Sequence, residues 1–109
     1  MITIDEFKNV DIRIGEIKSV EKVPDTDKLL RLEVDLGEEK PRQIISGIAL
    51  YFDDIQELIG KRCTFVANLE PRVIRGLESQ GMIMAVSDDE GHFSLLSPND
   101  SILPGTRIT

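Results

Sequence analysis

The chain has little of what most active-site chemistry requires. One cysteine (Cys63) and one histidine (His92) stand in 109 residues. A lone cysteine excludes an internal disulfide, and one residue of each kind is too few for a Cys/His zinc site. No apolar run approaches the roughly 18 residues that a membrane-spanning helix needs. The opening "MITIDEFKNV" is acidic and has no basic segment ahead of an apolar one, so it does not read as a signal peptide. The expected compartment is therefore the cytoplasm, with no membrane partner. Tryptophan is absent, and the aromatics are Tyr51 and four phenylalanines. That is a poor supply for a protein that stacks the splayed bases of a single strand. Positive charge is also short, with 13 Lys+Arg against 20 Asp+Glu and a net charge of −7. Such a balance argues against indiscriminate nucleic-acid binding, which wants a broadly positive surface.

The deficit is uneven. From Lys28 to Gly76 there are eight basic and eight acidic residues, whereas the remainder carries five and twelve. The middle of the chain is where an anion would be tolerated. Otherwise the composition, 40% hydrophobic and 30% charged, is ordinary for a soluble globular protein. The length fits one domain, residues 1–109.

Local signals predict mostly strand. Thr3 with Glu6 has capping-box spacing, so Ile4 to Lys8 is expected to start a short helix. From Val10 the pattern alternates, with Val10, Ile12 and Ile14 on one face. The phase slips after Gly15, which suggests a bulge or bend there, as a small closed barrel requires. "PDTDK" is a turn. "LLRLEVDLG" alternates cleanly, "GEEKP" is a hairpin loop, and "RQIISGIAL" reads as a third strand. In "DDIQELIG", Asp54 and Glu57 can cap a helix whose apolar stripe is Ile55, Leu58 and Ile59, and Gly60 stops it. "RCTFVANL" is a fourth strand. "NLEPRVIRGLESQGM" reads as a loop, "MIMAVS" as a fifth strand, and "HFSLLS" follows a "DDEG" turn. Three strands, a short helix and two strands is the order of an all-β, five-stranded OB barrel, here with terminal extensions. In that fold ligands bind over strands two and three, between the loop joining strands one and two and the loop joining four and five.

Nothing reads as an enzyme. Asp25 and Asp27 fit backbone bonding within a turn. His92 has no Ser or Cys with an acid partner nearby, and Cys63 alternates with apolar residues as a buried thiol does. No phosphate loop or dinucleotide fingerprint is present, and no cofactor is expected. Cations are the more informative set. Lys28 closes the first loop, Arg31 projects from strand two and Arg42 opens strand three. Asn68 ends strand four, ahead of Arg72 and Arg75. In an OB barrel these six converge on the ligand face, where arginine forks match phosphate oxygens. With few aromatics to stack, recognition of a folded RNA by shape and phosphates is expected.

The stretches "VDIRIGEI", "PDTDKLLRLEVDLG", "RQIISGIA", "IGKRCTFVANLEPRVIRGLESQGMIMA" and "LPGTRI" together closely resemble the tRNA-binding domain appended to methionyl-tRNA synthetases. The same domain occurs as a free-standing tRNA-binding protein and in the endothelial-monocyte-activating-polypeptide group. The resemblance covers nearly the whole chain. It implies an OB fold that binds tRNA with little sequence preference, at the outer corner of the L shape, and a homodimer in the bacterial and free-standing forms. It also implies tRNA contacts at Lys28, Arg31, Arg42, Asn68, Arg72, Arg75, Ser79 and Met82. By themselves Ser79 reads also as a turn residue and Met82 as the core start of strand five. A sister branch resembles a peptide-binding export chaperone. It lacks "DKLL" and departs from "SGIA" and "SQGM", all of which this chain keeps. Two functions stay in view: a tRNA-binding module, as a synthetase domain or a stand-alone protein, and a dimeric peptide-binding chaperone. For the dimer, Ile4, Phe7, Leu95, Leu96, Ile102, Leu103 and Ile108 are expected to supply the contact, because they are too apolar for free tails.

Overall fold

A computed structural model describes residues 1–109. The capping box forms as its spacing predicts. The Glu6 N–H donates to Thr3 Oγ1 at 3.1 Å and the Thr3 N–H to Glu6 Oε1 at 3.2 Å, which starts α1 (Ile4–Phe7). This helix buries none of its residues.

The strand β1 (Ile12–Lys22) is long and serves two neighbours. Its first half, Ile12 to Glu16, pairs antiparallel with β4 (Arg62–Val66), and Glu16 to Lys22 pair with β2 (Leu30–Asp35). The bulge lies between Ile17 and Ser19 in the pairing with β2, not at Gly15. The glycine has a different cause. A Cβ on Gly15 would lie 2.7 Å from side-chain atoms of both Phe65 and Val34. Glycine is needed because the core closes on β1 there, while the twist is taken up a few residues later.

Next, β2 pairs with β3 (Arg42–Ser46), and β4 pairs with β7 (Met82–Ile83). The order β3-β2-β1-β4-β7 makes one antiparallel five-stranded sheet, rolled into a nearly closed OB-like barrel. The alternation in β2 puts Leu30, Leu32 and Val34 fully inside, in one core with Phe65 of β4. Each such burial stabilises by roughly 1.5–3 kcal/mol.

Between β3 and β4 the expected α-helix is instead two 3-10 turns, Ala49–Tyr51 and Ile55–Leu58. Asp54 caps the second as expected, its side chain accepting from the Gln56 N–H at 3.0 Å. The turn cannot lengthen because its exit is tied to β1. The Gly60 N–H donates to Ile17 O at 2.8 Å and the Ile17 N–H to Lys61 O at 3.0 Å. Leu58 alone is fully buried as the plug, and Ile59 faces solvent.

The stretch after β4 also differs from expectation. "RVIRGLES" is a two-stranded hairpin, β5 (Arg72–Ile74) with β6 (Leu77–Ser79). Its two-residue turn is Arg75 (φ 53°) and Gly76 (φ 79°). Both φ values are positive, as a type I′ turn requires. "MIMAVS" is split at Met84. Its second part, β8 (Ala85–Ser87), leaves the barrel to pair with β9 (Phe93–Leu95).

The closing tail pairs with the free edge of β1. The Gly105 N–H donates to Ile14 O at 2.7 Å, the Ile14 N–H to Thr106 O at 2.9 Å, and the Ile108 N–H to Ile12 O at 2.8 Å. Both termini therefore lie together, and they frame an apolar groove of ≈ 350 Å³ lined by Ile4, Phe7, Val10 and Ile108. Of the side chains expected at a dimer contact, Leu103 is well exposed. Leu95 instead packs against the core, because β9 folds back over the barrel.

Candidate nucleic-acid interface

The barrel is closed between β3 and the β6–β7 segment by side chains more than by a backbone ladder. Ser79 is buried, and its Oγ accepts the Ile45 N–H at 3.0 Å and donates to Gly81 O at 3.1 Å. The Gln43 N–H donates to Gln80 Oε1 at 3.0 Å, and the Gln80 N–H returns to Gln43 O at 2.8 Å. Arg42 completes this seam. Its Nη1 donates to Ala67 O and, at 3.1 Å, to Gln80 O, while Nε and Nη2 grip both oxygens of Glu38 at 2.8 Å. The Arg42 guanidinium holds the Glu38 carboxyl below its ordinary range. Seam closure fixes where the β5–β6 hairpin stands over the barrel face.

This accounts for three of the eight candidate residues. Arg42 and Ser79 are occupied by the seam. Asn68 accepts the Asp11 N–H at 2.8 Å and donates to Asn9 O at 2.7 Å, so it ties the entry of β1 to the exit of β4. Arg31 is cross-strand from Glu21 and paired with it at 2.7 Å. The other four are open. Lys28 and Arg75 line one groove of ≈ 440 Å³ with Asp25, Thr26, Asp27, Leu29 and Ile74. Arg72 and Met82 line a second, with Ile45, Leu69, Glu70 and Ile74 among its walls. Ile74 borders both, so the grooves meet at the hairpin. The six cations and amides expected on one face thus divide into a scaffold set and a free set.

Register explains the free set. Arg72 pairs with Ser79 and Ile74 with Leu77, so these four share one side of the hairpin, toward the barrel. Val73 and Glu78 take the other side, and Val73 is exposed. Arg75 occupies the turn itself. Ion pairs form at Lys18 and at Arg13, Arg31, Arg42, Arg62 and Arg107, and none forms at Arg72, Arg75 or any other lysine, Lys28 included. Pairing of Arg72 and Arg75 with Glu70 or Glu78 is therefore not what holds them.

Three features went unread in the sequence. Gln43 and Gln80 carry the seam, and no local pattern marks a glutamine that bonds across a barrel. The hairpin did have a signal, "VIRGLE", in which an Xaa-Gly pair sits between alternating residues. Tyr51 is more than half exposed, although its position just before the plug hides this. Cys63 is a buried free thiol, raised in pKa by that burial. His92 sits exposed beside Asp88, Nδ1 to Oδ2 2.7 Å.

An antiparallel five-stranded barrel with a loop and a hairpin presenting unpaired cations over one face defines an OB-like binding module. Residues 12–107 match the family model described as "Putative tRNA binding domain", and the chain belongs to that family. It is 50% identical over 107 residues to the methionine--tRNA ligase of Chloroherpeton thalassium, covering 98% of this chain and 15% of that protein. It is 45% identical over 107 residues to that of Methanosarcina acetivorans, again covering 98% and 15%. The chain thus spans about 15% of the length of these curated relatives. Among solved structures it is similar to a MetRS related protein from Pyrococcus horikoshii, with a TM-score of 0.90 and 35% identity over 100% of this chain and 98% of that one. The chaperone CsaA from Bacillus anthracis superposes with a TM-score of 0.86 and 29% identity, covering 100% and 99%.

Proposed function

We propose that this domain binds folded tRNA through Lys28, Arg72 and Arg75, as part of a methionine--tRNA ligase or as a stand-alone protein in the cytoplasm. One observation carries the reading. Arg72 and Arg75 are the arginines with no carboxylate partner, whereas Arg13, Arg31, Arg42, Arg62 and Arg107 are all paired, and Lys28, an unpaired lysine, shares the groove of Arg75. An unpaired guanidinium offers its full fork to a phosphate. Asp25, Asp27 and Glu70 line the same grooves and temper the attraction, so affinity is moderate, and it falls with salt by an amount set by the few phosphates these cations neutralise. Met82 adds an apolar contact beside Arg72. Arg31 can join by exchanging Glu21 for phosphate. Arg42, Asn68 and Ser79 act by holding the loop that presents the others. The domain itself carries out no catalysis in this reading.

A homodimer belongs to the same proposal. Ile4, Phe7, Val10, Leu103 and Ile108 expose apolar surface around the joined termini, and a two-fold contact there would cover it. A second reading is peptide binding. The likeness to CsaA supports it, as do Leu69 and Met82, exposed in the groove of Arg72. An electrophoretic shift with total tRNA, run against binding of a denatured peptide, separates the two. Folded tRNA is expected to bind better than a single strand of equal length. Equal binding of poly-U and tRNA would sink the shape-and-phosphate reading, and peptide binding without a tRNA shift would favour the chaperone.

A further inference from the structure

We infer that Tyr51 is a stacking platform for one unpaired nucleobase of the bound RNA. The inference rests on the tRNA reading and adds a base contact to its phosphate contacts.

The ring is both exposed and pinned. Tyr51 lies parallel to Phe93, with centroids 4.0 Å apart and planes within 7°. Phe93 is in turn met edge-on by Phe52, 5.7 Å away at 90°. Phe52 and Phe93 pack against the core. The three rings thus form a ladder from the core to solvent, and Tyr51 is its outer rung, 53% exposed. An exposed tyrosine ordinarily surrenders rotamer freedom when it binds. Here the stack has already fixed the ring, and a preorganised ring gives up less on binding. One face is covered by Phe93, which leaves the opposite face for a further ring.

Its place in the fold suits RNA. The 3-10 turn that carries Tyr51 begins at Ala49, whose N–H donates to Lys28 O at 3.0 Å. Lys28 in turn shares its groove with Arg75. The turn that holds Tyr51 is thus tied directly to the loop that presents Lys28, which places the ring next to the proposed phosphate contacts. A folded RNA offers unpaired bases in its loops, and these are the bases that proteins stack on aromatic side chains. Every base has a π-face, so such a contact leaves sequence preference low.

The chain contains no other tyrosine and no tryptophan. Biosynthetic incorporation of 3-fluorotyrosine therefore gives a single fluorine resonance that reports Tyr51 alone. With saturating total tRNA, and complex formation shown on a gel of the same sample, the resonance is expected to shift and broaden. Tyr51→Leu is expected to weaken tRNA binding about tenfold, within the range stacked bases show, and Tyr51→Phe to restore most of that loss. A saturated complex with an unmoved resonance would overturn this inference and leave the tRNA reading standing. No complex at all would overturn both. Should Tyr51→Leu fail to fold, the fluorine measurement on the unaltered fold decides alone.

Discussion

Arg75 is the residue where conformation and charge conflict. A non-glycine residue at φ 53° is strained by its side chain, since the left-handed region costs roughly 1–2 kcal/mol for most residues and less for asparagine. Arg75→Asn should therefore leave the melting temperature equal or slightly raised while tRNA binding weakens. Thermal melts and gel shifts on one preparation check the two signs, and unchanged affinity would remove Arg75 from the interface. Replacing both Arg72 and Arg75 by alanine should keep the fold, because exposed charges away from special contacts shift stability by only about 0.5 kcal/mol. Affinity should fall tenfold or more, and the logarithmic salt slope should flatten by roughly 0.7–0.9 for each phosphate that the protein no longer neutralises. Asp25 offers the opposite test. It also has a positive φ, 63°, which asparagine tolerates, and it shares the groove of Lys28 and Arg75. Asp25→Asn should tighten tRNA binding by about two- to fivefold, the worth of one exposed charge interaction.

At the scale of elements, the hairpin and the seam divide the work. The β5–β6 hairpin presents cations, and β3 with the β6–β7 segment holds it in place. Ser79 is the weak point of this arrangement, because it is buried and its Oγ alone satisfies the Ile45 N–H. Ser79→Ala strands that amide, and a buried unsatisfied donor costs about 1–3 kcal/mol. A denaturant titration should register the drop in stability, whereas Met82→Ala, at an exposed edge of the groove, should barely move it. Equal stability of Ser79→Ala and the parent would free Ser79 for a direct ligand role. Lysine cannot replace Arg42, because a single ammonium cannot reach two carbonyls and both Glu38 oxygens as a planar fork does.

At the scale of the whole molecule, the acid limb of stability follows from carboxylates held low. Arg13 lowers Asp11 by a side-chain hydrogen bond, Lys18 and then Arg62 lower Glu16, and Arg42 lowers Glu38. In each the folded pKa lies below the unfolded value. The stabilisation is present above the ordinary values, 3.8 for Asp11 and 4.5 for the two glutamates, and is lost as pH falls through the depressed folded values. Glu38→Gln should flatten that limb, read as melting temperature between about pH 5 and about pH 2. The second global property is association. Sedimentation at micromolar concentration should show twice the 12.2 kDa protomer mass, and Phe7→Glu with Leu103→Glu should return a folded monomer. A 12.2 kDa species from the unaltered chain would end the dimer proposal.

Much of the barrel is set by local pattern alone. The alternation of Leu30, Leu32 and Val34, the Thr3–Glu6 box, the Asp54 cap and the order of strands are properties of residues near one another in the chain, and each appears where its period or spacing puts it. The candidate cations were legible for the same reason, since loops announce themselves by proline and glycine. Partners far apart in the chain decided the rest. Whether an arginine is free depends on a carboxylate or carbonyl that only folding brings near. Arg42 meets Ala67 and Gln80, 25 and 38 residues on, whereas Arg72 and Arg75 meet none. The plug stops at one 3-10 turn because β1 captures Gly60, and Gly15 is glycine because Phe65 and Val34 arrive against it. Periodicity reports which face of a strand is apolar. It carries no information on which distant group will claim a particular donor, and that assignment separates the residues that hold this barrel together from those that no other protein group claims.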